Sequence, residues 1–154
     1  MKISILLHDI RSTHNVGAVL RTADAVGVSK VYFSGFTPAP IDRFGRARKD
    51  IAKASLGAEK TVPWEVVLDP KELIKKLKGE KVRIVALEQN KKSIDYTQIT
   101  KTKDMLVVLG REVEGVEEGI LKLCDEIVEI PMRGTKESLN VSVATGILLY
   151  KIIE

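Results

Sequence analysis

The sequence predicts an α/β fold, a mostly parallel sheet with helices on both faces, and three observations predict it. Short apolar runs rich in β-formers recur along the chain, and they alternate with helix-length amphipathic segments. The run Met105–Leu109 is apolar at every position, as a strand buried on both sides must be. The 154 residues suit one domain spanning 1–154, large enough to bury a core without covalent staples.

Residues 3–7 form the first predicted strand, which ends in His8-Asp9. Residues 15–27 read as a helix with Val16, Val19, Leu20, Ala23 and Val26 on one stripe, and 30–33 as the second strand. The stretch 36–46 holds too much Pro and Gly to continue any element and reads as a functional loop. A helix follows at 48–55, a strand lies within 61–68, a helix at 71–77 closes on Gly79, and 82–87 is a strand. After Met105–Leu109 come a short helix at 116–123, a strand at 126–131 and a last helix at 140–153.

Hydrophobic residues make up 44% and charged residues 30%, which excludes a disordered chain and a membrane-embedded one. Lys plus Arg number 25 against 21 Asp plus Glu, a net +4 that suits a polyanionic partner without requiring one. Cys124 is the one cysteine, so no internal disulfide or Cys-rich zinc site is available, and with His8 and His14 as the only histidines no metal is expected. The apolar run at the N-terminus stops too soon for a signal peptide and nothing approaches a membrane span, so the expected location is cytoplasmic.

Two phosphate-binding fingerprints are excluded. Gly110, Gly115 and Gly119 miss the dinucleotide spacing, and Val116-Glu117 stands where a P-loop needs Lys and Ser or Thr. Three small, polar segments do fall where open α/β sheets bind ligands, at strand carboxyl ends: 8–21, 110–115 and 132–140. Asn15 is a candidate N-cap, as are Ser138 and Asn140 for the last helix. Arg21 lies roughly 160° from the centre of its helix's apolar stripe and leans over Gly17 and Ala18, which leave a shallow place for something flat or anionic. Pairing with Asp24 at i+3 is the bland alternative. Singly, each segment is compatible with a solvated turn or a cap.

In combination they resemble the SpoU/TrmH family of S-adenosylmethionine-dependent RNA ribose 2'-O-methyltransferases, within the SPOUT superfamily. The first motif is carried by Asn15, Gly17-Ala18 and Arg21-Thr22-Ala23, and the second by Gly110, Glu112 and Gly115. Val113 departs from the second, where many members have Gly. The third is carried by Ile130-Pro131-Met132 with Ser138-Leu139-Asn140-Val141-Ser142. The resemblance spans 3–153, with 35–90 matched mainly by pattern.

The resemblance implies a deep C-terminal trefoil knot in about 105–153, which no pattern argument predicts. It implies that S-adenosylmethionine is held by Leu109, Gly110, Glu112, Ile130, Met132, Ser138 and Leu139. It makes Arg21 the central catalytic residue, with Asn15, Glu112, Ser138 and Asn140 placing it and the substrate. A guanidinium holds its proton in nearly every protein site, so the expected role of Arg21 is to clamp a phosphate and stabilise charge developing on the 2'-oxygen.

RNA contact has its own basis in Arg43, Arg46, Arg48 and Lys49 around the Pro-rich loop, with Phe36 and Phe44 available to stack on an unpaired base. The last helix is apolar nearly all round, and a homodimer through its small-residue face, Ser142, Gly146, Leu149 and Ile153, is expected. In the family's dimers Arg21 approaches the partner's cofactor site. Because the sequence starts directly at its first strand, tRNA is favoured over rRNA as substrate. The alternative is a non-catalytic RNA-binding module that keeps the fold.

Overall fold

The strands are β1 (Ile3–His8), β2 (Lys30–Ser34), β3 (Trp64–Val66), β4 (Arg83–Leu87), β5 (Ile94–Asp95), β6 (Met105–Leu109) and β7 (Glu126–Glu129). In the computed structural model, which describes residues 1–101 and 103–154, they form one sheet of order β3-β2-β1-β6-β4-β7-β5 with every pairing parallel. The helices are α1 (Thr13–Val26), α2 (Lys49–Ser55), α3 (Ala58–Thr61), α4 (Pro70–Gly79), α5 (Glu118–Leu121) and α6 (Val141–Ile153).

Side chains of a strand alternate between faces, and here both faces are covered. Ile3, Ile5 and Leu7 of β1, with Met105, Val107 and Leu109 of β6, pack under α1, α2 and α6. Leu6, Leu106 and Val108 point the other way and meet Leu73, Ile74 and Leu77 of α4 and Ile120 of α5. The two-sided covering explains why the central strands read as unbroken apolar runs.

Sequence and structure differ at several element ends, each for a local reason. α1 begins at Thr13 because Ser12, not Asn15, is its cap: the Ser12 hydroxyl accepts the Asn15 N–H at 3.1 Å. The helix expected at 116–123 is the single turn α5, and the strand expected at 126–131 stops at Glu129, ahead of Pro131. α3, the two-residue edge strand β5 and a 3-10 turn at Tyr96–Gln98 lie where no element was expected, since all are too short and too mixed in polarity to leave a period.

α6 is oriented differently from the expectation. Leu148, Leu149 and Ile152 are buried, while Val143, Ile147 and Tyr150 are exposed. Gly146 lies towards Thr22 of α1, where a Cβ would sit 3.6 Å from the Thr22 methyl. The small-residue face is therefore partly used against α1 of the same chain, and the unpartnered stripe is Val143-Ile147-Tyr150.

β1 and β6 are neighbours at the middle of the sheet, and from them the chain proceeds in opposite directions, to β2 on one side and β7 on the other. To the β7 side of that reversal a crevice opens above the carboxyl ends of β4, β6 and β7.

Candidate active site

At the crevice the turn after β6 folds back on itself, with paired backbone bonds between Arg111 and Gly115 of 3.1 and 2.9 Å. Both glycines are required there. A Cβ on Gly110 would come within 2.6 Å of the Gly115 backbone, and Gly115 has φ +75 with a Cβ position 1.8 Å from Glu88 Oε2. Val113 sits at the tip, 92% exposed, so its departure from the motif leaves the tight part of the turn untouched.

Glu112, from this turn, faces the start of α1. Its carboxylate accepts the Ser12 N–H at 3.2 Å, the Arg11 N–H at 3.4 Å and the Asn15 side-chain amide at 3.5 Å. Asn15 Oδ1 in turn accepts the Asn140 amide at 3.1 Å, and Asn140 Oδ1 caps α6 by accepting the Ser142 N–H at 2.8 Å. Asn140 is thus both cap and bridge, and the three sequence segments meet through Glu112, Asn15 and Asn140. Burial pushes the Glu112 carboxyl up, but the N–H groups of Glu112 itself, Ser12 and Arg11, with the Asn15 amide, outweigh it and hold it below the ordinary value of 4.5. The positive end of the α1 dipole acts in the same direction. Glu112 is consequently an orienting anion and a poor proton acceptor near neutral pH.

Beside this cluster lies a cleft of about 230 Å³ lined by Gly110, Glu112, Ile130, Ser138 and Leu139 of the expected cofactor set. Leu109 is buried at the end of β6 and Met132 is half-buried, and neither lines the cleft. Leu87, Val141 and Ala144 complete an apolar wall, and Glu88 and Gln89 stand opposite Glu137 and Ser138. Glu88 accepts the Val116 N–H at 2.7 Å and the Gln89 amide donates to the Glu137 carbonyl at 2.9 Å, so both pin the walls of the cleft. Sequence reasoning missed this pair. The signal was available, because they follow a strand's carboxyl end as the three chosen segments do. A small-ligand pocket is mostly apolar with a few fixed polar groups, and these walls fit an adenosine-bearing ligand without a pyrophosphate.

Arg21 is not part of this assembly within the chain. It lies six residues beyond Asn15, about 9 Å further along α1 and on another face, exposed and with no ion pair among the described residues. The pairing with Asp24 does not form, since Asp24 accepts the Thr61 hydroxyl at 2.7 Å. Nor is Gly17 an open landing place for the guanidinium: it is buried, and α2 lies directly over it.

The basic loop is ordered by Asp42, whose carboxylate accepts the Phe44 and Arg46 N–H groups at 2.8 and 3.0 Å. Arg43 and Arg46 lie 4.9 and 5.0 Å from the centroid of the exposed Phe44 ring. Lys49 is exposed in the first turn of α2, and Arg48, its N-cap residue, is half-buried. His8 is structural, with Nδ1 2.8 Å from the Ser34 hydroxyl, and His14 is exposed. Among the described residues no group of His, Cys, Asp and Glu is placed to hold a metal ion, and no helix is long and apolar enough to cross a membrane.

A doubly wound parallel sheet with a glycine-walled cleft at the carboxyl ends of β4, β6 and β7 defines an α/β protein built to hold a nucleoside-like ligand beside a polar hub. The chain belongs to the SpoU rRNA Methylase family, whose model matches residues 2–150. It is 34% identical over 147 residues to a tRNA (guanosine(18)-2'-O)-methyltransferase of Aquifex aeolicus, covering 96% of this chain and 66% of that one. It is 35% identical over 149 residues to a 23S rRNA (guanosine-2'-O-)-methyltransferase of Bordetella pertussis, covering 97% and 58%. The structure matches an AdoMet-bound rRNA methyltransferase from Sinorhizobium meliloti with a TM-score of 0.87 and 27% identity, over 98% of this chain and 55% of that one. The chain thus spans less than two thirds of the length of these relatives.

Proposed function

We propose that this protein transfers a methyl group from S-adenosylmethionine to a ribose 2'-hydroxyl of RNA. The observation that carries the reading is the Glu112–Asn15–Asn140 hub, in which residues from three distant segments meet beside the cleft. The cofactor supplies an electrophilic methyl on a sulfonium. Gly110, Ile130, Ser138 and Leu139 are the residues that would hold it, with Leu109 and Met132 behind them. Glu112 and Asn15 fix the start of α1, and Asn140 fixes the start of α6, so that the cleft keeps its shape when RNA enters. Arg21 clamps the phosphate next to the target nucleotide and stabilises negative charge growing on the 2'-oxygen.

Because Arg21 stands apart from the cleft of its own chain, this role calls for a second subunit. The exposed Val143-Ile147-Tyr150 stripe of α6, next to the Thr22-bearing side of α1, supports a homodimer in which Arg21 reaches the partner's cleft. Residues 1–154 then act as one domain. The family supports a trefoil knot in about 105–153, and the bond from Gln89 to Glu137 fits a C-terminal segment held within the 88–116 region. Arg43, Arg46, Arg48 and Lys49, with Phe44, offer a basic surface to the RNA backbone, and the place of action is the cytoplasm.

The test is methyl transfer to unmodified tRNA and 23S rRNA transcripts offered separately. Transfer to tRNA is the expected result. Cofactor binding with transfer to neither RNA overturns the catalytic reading in favour of an RNA-binding module that has kept the fold.

A further inference from the structure

A second arginine–aromatic cluster stands where β1 and β2 end, and none of the three motifs accounts for it. Its base is Asp9, 7% exposed and held in the left-handed region with φ 57. Asp9 Oδ1 accepts the Phe36 N–H at 3.1 Å, and Oδ2 accepts from Arg111 Nη2 at 3.2 Å and Nε at 3.4 Å. The loop closes onto this carboxylate only because residue 35 is glycine: a Cβ there would lie 1.8 Å from Asp9 Oδ1, and its φ is +64. Above it, the guanidinium of Arg111 lies 5.5 Å and that of Arg11 5.3 Å from the Phe36 ring centroid.

An uncommon backbone conformation at a buried carboxylate costs stability, and such outliers concentrate at functional sites. Here its structural product is a surface arginine fixed in direction. Arg111 spends Nε and Nη2 on Asp9 and keeps donors free, its side chain 40% exposed. Arg11 makes no ion pair among the described residues, and Phe36, 46% exposed, holds its guanidinium by a cation–π contact. The cluster also adjoins the reactive site: Arg111 lines the cleft, and the Arg11 N–H donates to Glu112.

We infer that Arg11 and Arg111, held over Phe36 and anchored by Asp9, form a clamp for a backbone phosphate of the RNA strand flanking the target nucleotide. The inference rests on the proposed RNA methylation and adds to it a sequence-independent subsite separate from the Arg43-Phe44-Arg46 loop. Phosphate contacts position a strand without reading its bases, so the clamp sets register.

The experiment measures binding of an unmodified tRNA transcript by fluorescence anisotropy across a salt series, for the wild type, Arg11→Gln, Phe36→Leu and, as a charge control away from the cluster, Lys71→Gln. Loss of one phosphate contact lowers the slope of log K against log salt by about 0.7 to 0.9, which is the change expected for Arg11→Gln and not for Lys71→Gln. Phe36→Leu weakens binding about two- to five-fold with the slope retained. Unchanged affinity for S-adenosylmethionine verifies that each variant is folded. Arg11→Gln with the wild-type slope and affinity, or with a loss no greater than that of Lys71→Gln, overturns the clamp. If the wild type methylates RNA while Arg11→Gln binds like wild type, the clamp fails and the activity stands. If the wild type shows the clamp's salt signature but transfers no methyl group, the clamp stands and the activity fails. A wild type that binds no RNA overturns both.

Discussion

Gly17→Ala is the substitution whose outcome follows most directly from the packing of α1. A Cβ at position 17 would stand 2.5 Å from Ala54 Cβ, 2.8 Å from the Ile51 carbonyl oxygen and 3.0 Å from the Ser55 nitrogen. Two of the three are α2 backbone, so no rotamer change relieves them, and the helices must separate. In a helix interior alanine gains about 1 kcal/mol over glycine, whereas an extra methyl forced into a packed site costs about 1–3 kcal/mol. Backbone contacts put this site at the upper end, for a net loss of about 1–2 kcal/mol. At about 2–4 °C per kcal/mol for a chain of this size, Tm falls by roughly 2–8 °C. Thermal unfolding by circular dichroism measures it, with Gly134→Ala, where no atom lies within 4 Å of the added Cβ, as the control expected to stay within about 0.5 kcal/mol of wild type. Since α1 carries Asn15 and Arg21, the same shift lowers methyl transfer while cofactor affinity holds. A Gly17→Ala protein as stable as wild type would refute the reasoning.

Other consequences are equally direct. Arg21→Ala lowers transfer by at least about 100-fold in single-turnover assays and leaves S-adenosylmethionine binding, read by calorimetry, nearly intact; loss of binding instead would make Arg21 a cofactor-site residue. Mixing and refolding Arg21→Ala with Asn140→Ala restores up to about a quarter of wild-type activity if Arg21 serves the partner's cleft, and nothing if it serves its own. Glu112 has a lowered carboxyl pKa, so its contribution to stability is full above the ordinary value of 4.5 and is lost as pH falls through the folded value. Glu112→Gln is therefore less stable than wild type at neutral pH, and the gap in Tm closes on acidification. Burial, then Asp125, pushes the Cys124 thiol up to about 12, so alkylation of the native protein at pH 8 is far slower than in denaturant.

The sheet was legible because its central strands are covered on both faces, which leaves runs such as Met105–Leu109 without a polar residue. The edge strand β5 and the single turn α3 left no such trace. Asn15, Glu112 and Asn140 were legible as candidates through the family resemblance of three small, polar segments that follow strand ends, and the structure joins them. What Gly17 does was not legible, since α2, which fills the space beside it, is more than 30 residues further along the chain. The exposed side of α6 was misjudged for a related reason: a helix apolar nearly all round carries no period that says which side α1 covers. Asp9, Phe36 and Arg111 are brought together by loop closure at Gly35, and no spacing rule connects them.

The central claim is that the methyl group goes to a ribose oxygen of RNA, and the position of the label tests it most directly. The purified protein is incubated with methyl-labelled S-adenosylmethionine and total small RNA, the RNA is digested to nucleosides, and the label is located on sugar or base. The account predicts label in a 2'-O-methyl nucleoside, absent with Arg21→Ala. Label on a base, or none despite measured cofactor binding, would contradict it.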